Sequence, residues 1–237
     1  AVPFVKNDGN LLTAAERIAA LNKNVAYKKS AAGNWIELGP FTAKDIYRGV
    51  GRVNSLAFHP TDSNIMWAGA PYGGVWKTED YGKTWTCLTD HLPSFGVTGL
   101  AVDPTNPDII YAGTGDGETG RNPGFGVWKT TDGGNTWEQK ANTMGNVIVN
   151  DILVYDDNSN ELIASTSSGI YNSLNGGETW GLVQEVSSSL INGATGVREL
   201  RFKPNNHDII YAVSTKRFFK SENRGRSWQL SVPSPLA

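Results

Sequence analysis

The chain has 237 residues, of which 39% are hydrophobic and 19% are charged, with a formal net charge of −2 and one cysteine, Cys87. The nearly balanced charge argues against a nucleic-acid or anionic-lipid partner. No apolar run of about 18 residues occurs, so no membrane span is predicted. A single cysteine excludes an internal disulfide bond.

The first 33 residues stand outside the repeats that follow and are predicted to form an N-terminal arm. Thr13 and Glu16 have the spacing of a capping box, and apolar residues follow at helical spacing, so we expect a short helix over 14–22. The stretch Trp35–Leu38 resembles the fourth strands described below, but no repeat motif precedes it. We predict that it is a closing strand, which pairs with a blade outside these 237 residues.

From about residue 51 the chain repeats a strand-rich unit that closes with one short motif, S/T-x-D/N-x-G-x-T/S-W. The motif residues are Thr78, Asp80, Gly82, Thr84 and Trp85; Thr130, Asp132, Gly134, Thr136 and Trp137; Ser173, Asn175, Gly177, Thr179 and Trp180; and Ser221, Asn223, Gly225, Ser227 and Trp228. The closing tryptophans are 52, 43 and 48 residues apart. A period of about 40–50 residues in a strand-rich chain is typical of propeller blades with four strands each.

Each position of the motif has a structural role in a tight turn. We expect the Asp or Asn oxygen to accept backbone N–H bonds, the glycine to adopt a positive φ, and the hydroxyl to bond back across the turn. The acid of the first two copies is an amide in the last two. That exchange fits a structural role and does not fit acid–base chemistry.

The segments between the motifs predict the strands of an all-β propeller with four complete blades. A strand, a turn and a strand precede each motif, and a third strand leads into it. The inner strands are expected near Val53, Val97, Asp151 and Val197, and each fourth strand is expected to begin at the motif tryptophan. In the last blade the first turn is expected over Lys203–Asp208. The blades are predicted to span about residues 51–90, 91–142, 143–190 and 191–237.

Four blades and one unpaired strand predict a larger propeller of seven to ten blades. Open blade faces would expose large apolar patches, so the remaining blades are expected to come from another segment or another chain.

In a propeller, function is expected at the loops between second and third strands and at the loops that join blades, with the motifs on the opposite face. Long polar loops on a rigid scaffold are where binding residues concentrate. Blade 2 has such a loop over 114–124, and another, over 42–52, precedes blade 1. The ligand-binding candidates are Tyr47, Arg48, Tyr72, Asp116, Glu118 and Arg121.

Two alternatives concern the carboxylates of the blade 2 loop. Asp116 and Glu118 could merely shape a glycine-rich turn. They could also bind calcium, whose ligands are carboxylate and carbonyl oxygens, but two carboxylates supply too few ligands on their own. No other cofactor is predicted.

The repeated motif resembles the Asp-box, which is also called the BNR repeat. The stretches Gly51–Pro60, Trp67–Thr78 and Gly113–Glu118 resemble sortilin-like Asp-box propellers, above all those in bacterial surface proteins that use type IX secretion. The resemblance covers about residues 34–232. It implies an extracellular or cell-surface protein whose signal peptide has been removed, and it implies binding of proteins or glycans.

Two enzyme families share this repeat. Xyloglucan-degrading Asp-box hydrolases carry a catalytic Asp in a motif like D-x-G-G-x-Y/W, and the matching stretch here, Pro71–Trp76, has proline in place of the acid. Sialidases carry an R-I-P motif near the N-terminus, which this chain lacks. Their arginine triad has candidates that could converge on one face, namely Arg48, Arg52, Arg121, Arg198 and Arg217.

On these grounds the favoured interpretation is a secreted binding or scaffold module for a protein or a glycan, with no catalytic residue. Two alternatives stay open. One is a glycoside hydrolase, either xyloglucanase-like or sialidase-like. The other is a structural subunit of a cell-surface assembly.

Overall fold

The computed structural model describes residues 52–92, 96–118, 124–140, 144–185, 196–215 and 217–231. They belong to the second of two compact units, Gly51–Ala237. The first unit, Ala1–Val50, lies outside the described residues, as do the predicted arm, helix and closing strand that fall within it. A search of the described residues finds no helix with the length and apolarity to cross a membrane.

The described residues form four antiparallel sheets of four strands each. Blade 1 contains β1 Ser55–Phe58, β2 Met66–Ala70, β3 Gly74–Thr78 and β4 Thr86–Cys87. Blade 2 contains β5 Val97–Val102, β6 Ile110–Thr114, β7 Val127–Thr130 and β8 Glu138–Gln139. Blade 3 contains β9 Val149–Val154, β10 Leu162–Thr166, β11 Gly169–Ser173 and β12 Gly181–Glu185. Blade 4 contains β13 Val197–Lys203, β14 Asn206–Ser214, β15 Phe218–Ser221 and β16 Gln229–Ser231.

Each strand pairs with the next one along the chain, which is the meander of a propeller blade. The predicted all-β class and the four complete blades are confirmed.

The fourth strands were predicted to begin at the motif tryptophan, and this is wrong by one residue. They begin instead at Thr86, Glu138, Gly181 and Gln229. Each tryptophan folds back over its own turn, and its Nε1 donates to the carbonyl of the motif glycine, as Trp85 does to Gly82 at 3.0 Å. The tryptophan therefore closes the turn before the strand starts.

The first turn of blade 4 is also shorter than predicted. Strand β14 begins at Asn206, and Lys203 pairs with Asn206 across the hairpin. The turn is therefore only Pro204 and Asn205, and Asn205 has a φ of 62°. Asparagine enters this left-handed region more readily than most residues because its short side chain can bond locally.

The motif turns are built as expected from their side-chain oxygens. In blade 1, Thr78 Oγ1 accepts from Gly82 N at 2.8 Å, and Asp80 Oδ1 accepts from Thr84 N at 2.9 Å. The motif glycines all have a positive φ, which is 82° at Gly82, 99° at Gly134, 82° at Gly177 and 73° at Gly225.

Asp and Asn interchange in the motif because the hydroxyl can reverse its role. In blade 2, Thr136 Oγ1 donates to Asp132 Oδ2 at 2.6 Å. In blade 3, Asn175 Nδ2 donates to Thr179 Oγ1 at 2.9 Å, so the hydroxyl accepts instead. A hydroxyl is both donor and acceptor. The turn therefore needs no charge.

Consecutive blades pack through three hydrophobic clusters, one at each blade interface. The cluster between blades 1 and 2 contains Trp67, Val75, Val97, Leu100 and Trp137. The cluster between blades 2 and 3 contains Tyr111, Val127, Val149, Ile152 and Trp180. The cluster between blades 3 and 4 contains Ile163, Ile170, Val197 and Leu200, with Trp228 packed against it. In each case the later blade contributes its motif tryptophan to the interface with the blade before it.

On the face of blade 1 that points away from blade 2, one inner-strand position is exposed that is buried in every other described blade. Leu56 is 55% exposed, whereas the equivalent inner-strand residues Leu100, Ile152 and Leu200 are 6%, 2% and 0% exposed. In those blades the residue packs against the preceding blade. The four blades are thus part of a propeller, and further blades lie outside the described residues.

Candidate functional site

The blades have two different edges. One edge, here called the motif edge, carries the motif turns. In blades 1 to 3 each motif turn bonds the first turn of its own blade, as Gly133 N does to Asp108 O at 3.0 Å. The other edge, here called the loop edge, carries the turns between second and third strands and the entries to the inner strands. It therefore includes the glycine-rich loop that follows β6.

One arginine joins both carboxylates of the blade 2 loop on the loop edge. Arg52, which precedes the inner strand of blade 1, donates through Nη2 to Asp116 Oδ1 and through Nη1 to Glu118 Oε2 at 2.9 Å. Asp116 is fully buried, whereas the side chain of Glu118 is 63% exposed. The pair therefore divides into one buried carboxylate and one that faces solvent.

The backbone of this loop is held from blades 2 and 3. Asp116 Oδ1 accepts from Glu118 N at 3.1 Å, and Thr98 Oγ1 donates to the Gly115 carbonyl at 2.6 Å. A Cβ at Gly117 would overlap Asn150 Oδ1. Asn150 is itself fixed, because its Nδ2 donates to the Val197 carbonyl at 2.7 Å. The loop thus lies over the inner strands of neighbouring blades.

The structure places half of the predicted ligand-binding residues. Asp116 and Glu118 come together with Arg52, and Tyr72 is 67% exposed in the turn between β2 and β3 on the same edge. Tyr47, Arg48 and Arg121 lie outside the described residues. The assignment of these residues to a ligand stays a prediction.

Arg52 and Arg198 are two of the five arginines that could converge on one face, and both lie beside this loop. A Cβ at Gly117 would be 3.3 Å from Arg198 Nη1. Asn150 was not singled out from the sequence. It occupies the same inner-strand position as Asn54, Thr98 and Arg198, so a polar residue stands there in all four repeats. That repeated polarity at the start of an apolar strand could have identified it.

Calcium was one predicted partner of these carboxylates, but a side-chain cation, Arg52, pairs with them in the structure. The guanidinium of Arg52 already bonds an oxygen of each carboxylate. In the part of the chain that the structure describes, no group of three or more His, Cys, Asp or Glu side chains is placed to hold a metal ion.

A cleft of about 410 Å³ lies on the motif edge between blades 1 and 2. Its lining includes Asp80 and Asp132, together with Lys77, Glu79 and Asp108. The two motif acids are engaged in their own turns, and hydrogen bonds from Thr84 and Thr136 lower the pKa of Asp80 and of Asp132 to about 2. These carboxylates therefore hold the turns together, and the loop edge is the better candidate for function.

Comparison with known proteins relates the chain to xyloglucanases. It is 28% identical over 162 residues to a xyloglucanase from a Paenibacillus species, covering 61% of this chain and 16% of that protein. It is 26% identical over 200 residues to a probable oligoxyloglucan-reducing end-specific xyloglucanase of Neosartorya fischeri, covering 78% of this chain and 24% of that protein. The chain thus spans a quarter or less of the length of these relatives. No family model matches the chain.

Solved structures agree on the propeller fold. A GH74 xyloglucanase from Xanthomonas campestris superposes with a TM-score of 0.64 at 21% identity, covering 79% of this chain and 31% of that one. YCF48 from Cyanidioschyzon merolae superposes with a TM-score of 0.54 at 20% identity, covering 78% of this chain and 57% of that one. At these identities the likeness concerns the fold alone.

The relatives correct the interpretation favoured from the sequence. A binding or scaffold module was preferred over an enzyme because Pro71 replaces the expected acid and no paired carboxylates stood at a recognisable spacing. That preference is wrong, because the curated relatives that match the chain are xyloglucanases. The absence of the expected acid at Pro71 was given more weight than the similarity to xyloglucanases, which covers 61% and 78% of the chain in two relatives.

Proposed function

We propose that the protein is a glycoside hydrolase of the xyloglucanase type, and that this chain supplies four of its blades and part of its substrate-binding edge. The observation that supports this most strongly is the extent of the similarity to xyloglucanases, which covers 61% and 78% of the chain in two different relatives. The substrate is a xyloglucan, and the loop edge faces the polymer.

Hydrolysis of a glycosidic bond requires two carboxyl groups, one on each side of the scissile bond. Pro71 cannot supply one, so the proposal needs another carboxylate on the same edge. Glu118 meets the requirement, because its side chain is 63% exposed and Arg52 holds only one of its oxygens, Oε2. Asp116 is buried and serves the loop itself.

We assign one of the two carboxylates to Glu118 and the second to a part of the protein outside the described residues. Arg52 bonds Glu118 from one side, so the remaining oxygen, Oε1, is the atom that would meet water or substrate. Tyr72, exposed on the same edge, is a surface on which a sugar ring could stack.

The finer features implied by the sequence resemblance belong to this proposal. The repeated turns are of the Asp-box type, and the protein acts outside the cell, where a polymeric glycan is accessible. The remaining blades come from another segment of the same protein or from another chain. A sortilin-like origin and type IX secretion stay predictions.

The test is hydrolysis of xyloglucan by the intact protein, measured as release of reducing ends. Loss of one catalytic carboxylate lowers the rate about 100-fold or more, so the rate of Glu118→Gln should fall by at least that factor. The matched control is Glu79→Gln, because Glu79 is similarly exposed and pairs with Lys77 at 2.7 Å, but lies on the motif edge. Its rate should equal that of the wild type.

Two results would count against the proposal. An intact wild-type protein that leaves xyloglucan uncleaved would overturn the assignment to this class of enzyme. If wild type and Glu118→Gln cleaved xyloglucan at equal rates, only the assignment of Glu118 would be refuted, and the class of enzyme would stand.

A further inference from the structure

We propose that Arg52 is a positioning residue, which fixes the Glu118 carboxylate on the loop edge by clamping it together with the buried Asp116. The proposal rests on the proposed function for its meaning, because it concerns the placement of a carboxylate that acts on substrate. Its structural part can be tested without any substrate.

Asp116 is the anchor of this arrangement. Its side chain is fully buried, and a buried carboxylate without a charge partner is costly. The Arg52 guanidinium supplies that partner across a separation of 64 residues, from the blade before. Arg52 therefore has an energetic reason to stay where it is, independent of Glu118.

Glu118 is held by two hydrogen bonds that both depend on Arg52, one directly and one through Asp116. Its backbone N donates to Asp116 Oδ1 at 3.1 Å, and its Oε2 accepts from Arg52 Nη1 at 2.9 Å. The first hydrogen bond fixes the backbone of Glu118, and the second fixes its side chain. An otherwise exposed carboxylate thus has a defined place above the loop.

The opposite side of the loop is closed to movement by Asn150. Any shift of Gly117 towards blade 3 would meet Asn150 Oδ1, which already lies where a Cβ would be. The structure describes no hydrogen-bond partner for that buried oxygen. The loop is therefore confined between Arg52 of blade 1 and Asn150 of blade 3, and removing Arg52 frees it on one side only.

The clamp requires the shape of an arginine. Arg52 uses Nη1 for one carboxylate and Nη2 for the other, and a planar fork with separate donors suits this geometry. A lysine would supply the charge from a single nitrogen. Arg52→Lys should therefore keep part of the effect, by compensating Asp116 while holding Glu118 less well.

The experiment compares Arg52→Ala and Arg52→Lys with a matched control, Arg201→Ala, in the intact protein. Arg201 also bridges two carboxylates, since its Nη1 lies 2.9 Å from Asp151 Oδ2 and its Nη2 lies 2.5 Å from Glu199 Oε1. It does so on β13, and neither Asp151 nor Glu199 belongs to the loop. Amide hydrogen exchange over 115–118 reports the clamp, and kcat and KM on xyloglucan report its consequence.

We expect Arg52→Ala to raise exchange over 115–118 about tenfold or more. It should lower kcat about 100-fold with a smaller change in KM, because a misplaced group costs rate more than binding. Arg52→Lys should lie between wild type and Arg52→Ala in both measurements. Arg201→Ala should change neither.

Unchanged exchange over 115–118 in Arg52→Ala would overturn the proposal, and so would an equal rise in Arg201→Ala. If the wild type does not cleave xyloglucan, the proposed function fails, while the exchange experiment still decides whether Arg52 holds the loop. The two failures are therefore distinguishable.

Discussion

If a further blade covers blade 1 in the intact protein, then Leu56→Ala should be as destabilising there as Leu100→Ala. The two leucines occupy equivalent inner-strand positions, but Leu56 is 55% exposed among the described residues and Leu100 is 6% exposed. A buried Leu→Ala change costs about 2–5 kcal/mol, whereas an exposed one stays within about 0.5 kcal/mol. The predicted cost of Leu56→Ala thus differs by at least about 1.5 kcal/mol between a covered and an open face.

The assay is the shift in urea midpoint of the intact protein, followed by tryptophan fluorescence. Leu182→Ala is the matched control, because Leu182 is 50% exposed on β12, the outermost strand of blade 3. We predict similar large shifts for Leu56→Ala and Leu100→Ala and a negligible one for Leu182→Ala. A Leu56→Ala shift as small as that of Leu182→Ala, beside a large shift for Leu100→Ala, would refute the inference that another blade packs there.

Three further predictions concern single residues of the blades. Trp137→Ala should destabilise by about 3–5 kcal/mol in chemical denaturation, as expected for a core tryptophan, and Asp132→Asn by much less, because Asn175 already holds the same turn; equal losses would reveal a charge-dependent role. Gly117→Ala should lower the unfolding free energy by about 1–3 kcal/mol through its overlap with Asn150 Oδ1, whereas Gly181→Ala, whose Cβ would meet Asn172 Oδ1 at an ordinary 3.4 Å, serves as the control and should not. Burial raises the pKa of Asp151, so the folded state keeps this proton to a higher pH than the unfolded chain, whose value is about 3.9. Wild type should therefore lose stability relative to Asp151→Asn as pH rises from about 4, as measured by urea unfolding from about pH 3 to about pH 7, and a constant difference over this range would contradict the argument.

The fold could be predicted because its determinants are local and repeated. Each motif turn is closed by bonds between residues at most four apart, such as Thr84 N to Asp80 Oδ1, so the sequence of one turn contains its own geometry. The prediction was wrong at the first turn of blade 4, where the residue types suit both a turn and a strand end. The polar run Asn205–Asp208 suggested a long turn, but pairing of Lys203 with Asn206 extends the strand.

The candidate site could be predicted only in part, because its contacts cross between blades. The sequence pointed to Asp116 and Glu118 through the length and polarity of their loop. It did not identify Arg52 as their partner, since 64 and 66 residues separate it from them. The confinement of Gly117 by Asn150 is likewise a contact between blades. Such contacts depend on how the blades stack, and no local pattern encodes that.

If the intact protein is a xyloglucanase, the products of its action on xyloglucan should show it. The measurement is mass spectrometry of xyloglucan after incubation with the purified intact protein, beside parallel incubations with an unsubstituted β-glucan and a sialoside. We expect a series of shorter xyloglucan oligosaccharides and an intact sialoside. Xyloglucan of unchanged length, from a protein whose circular dichroism shows a folded β structure, would contradict this expectation.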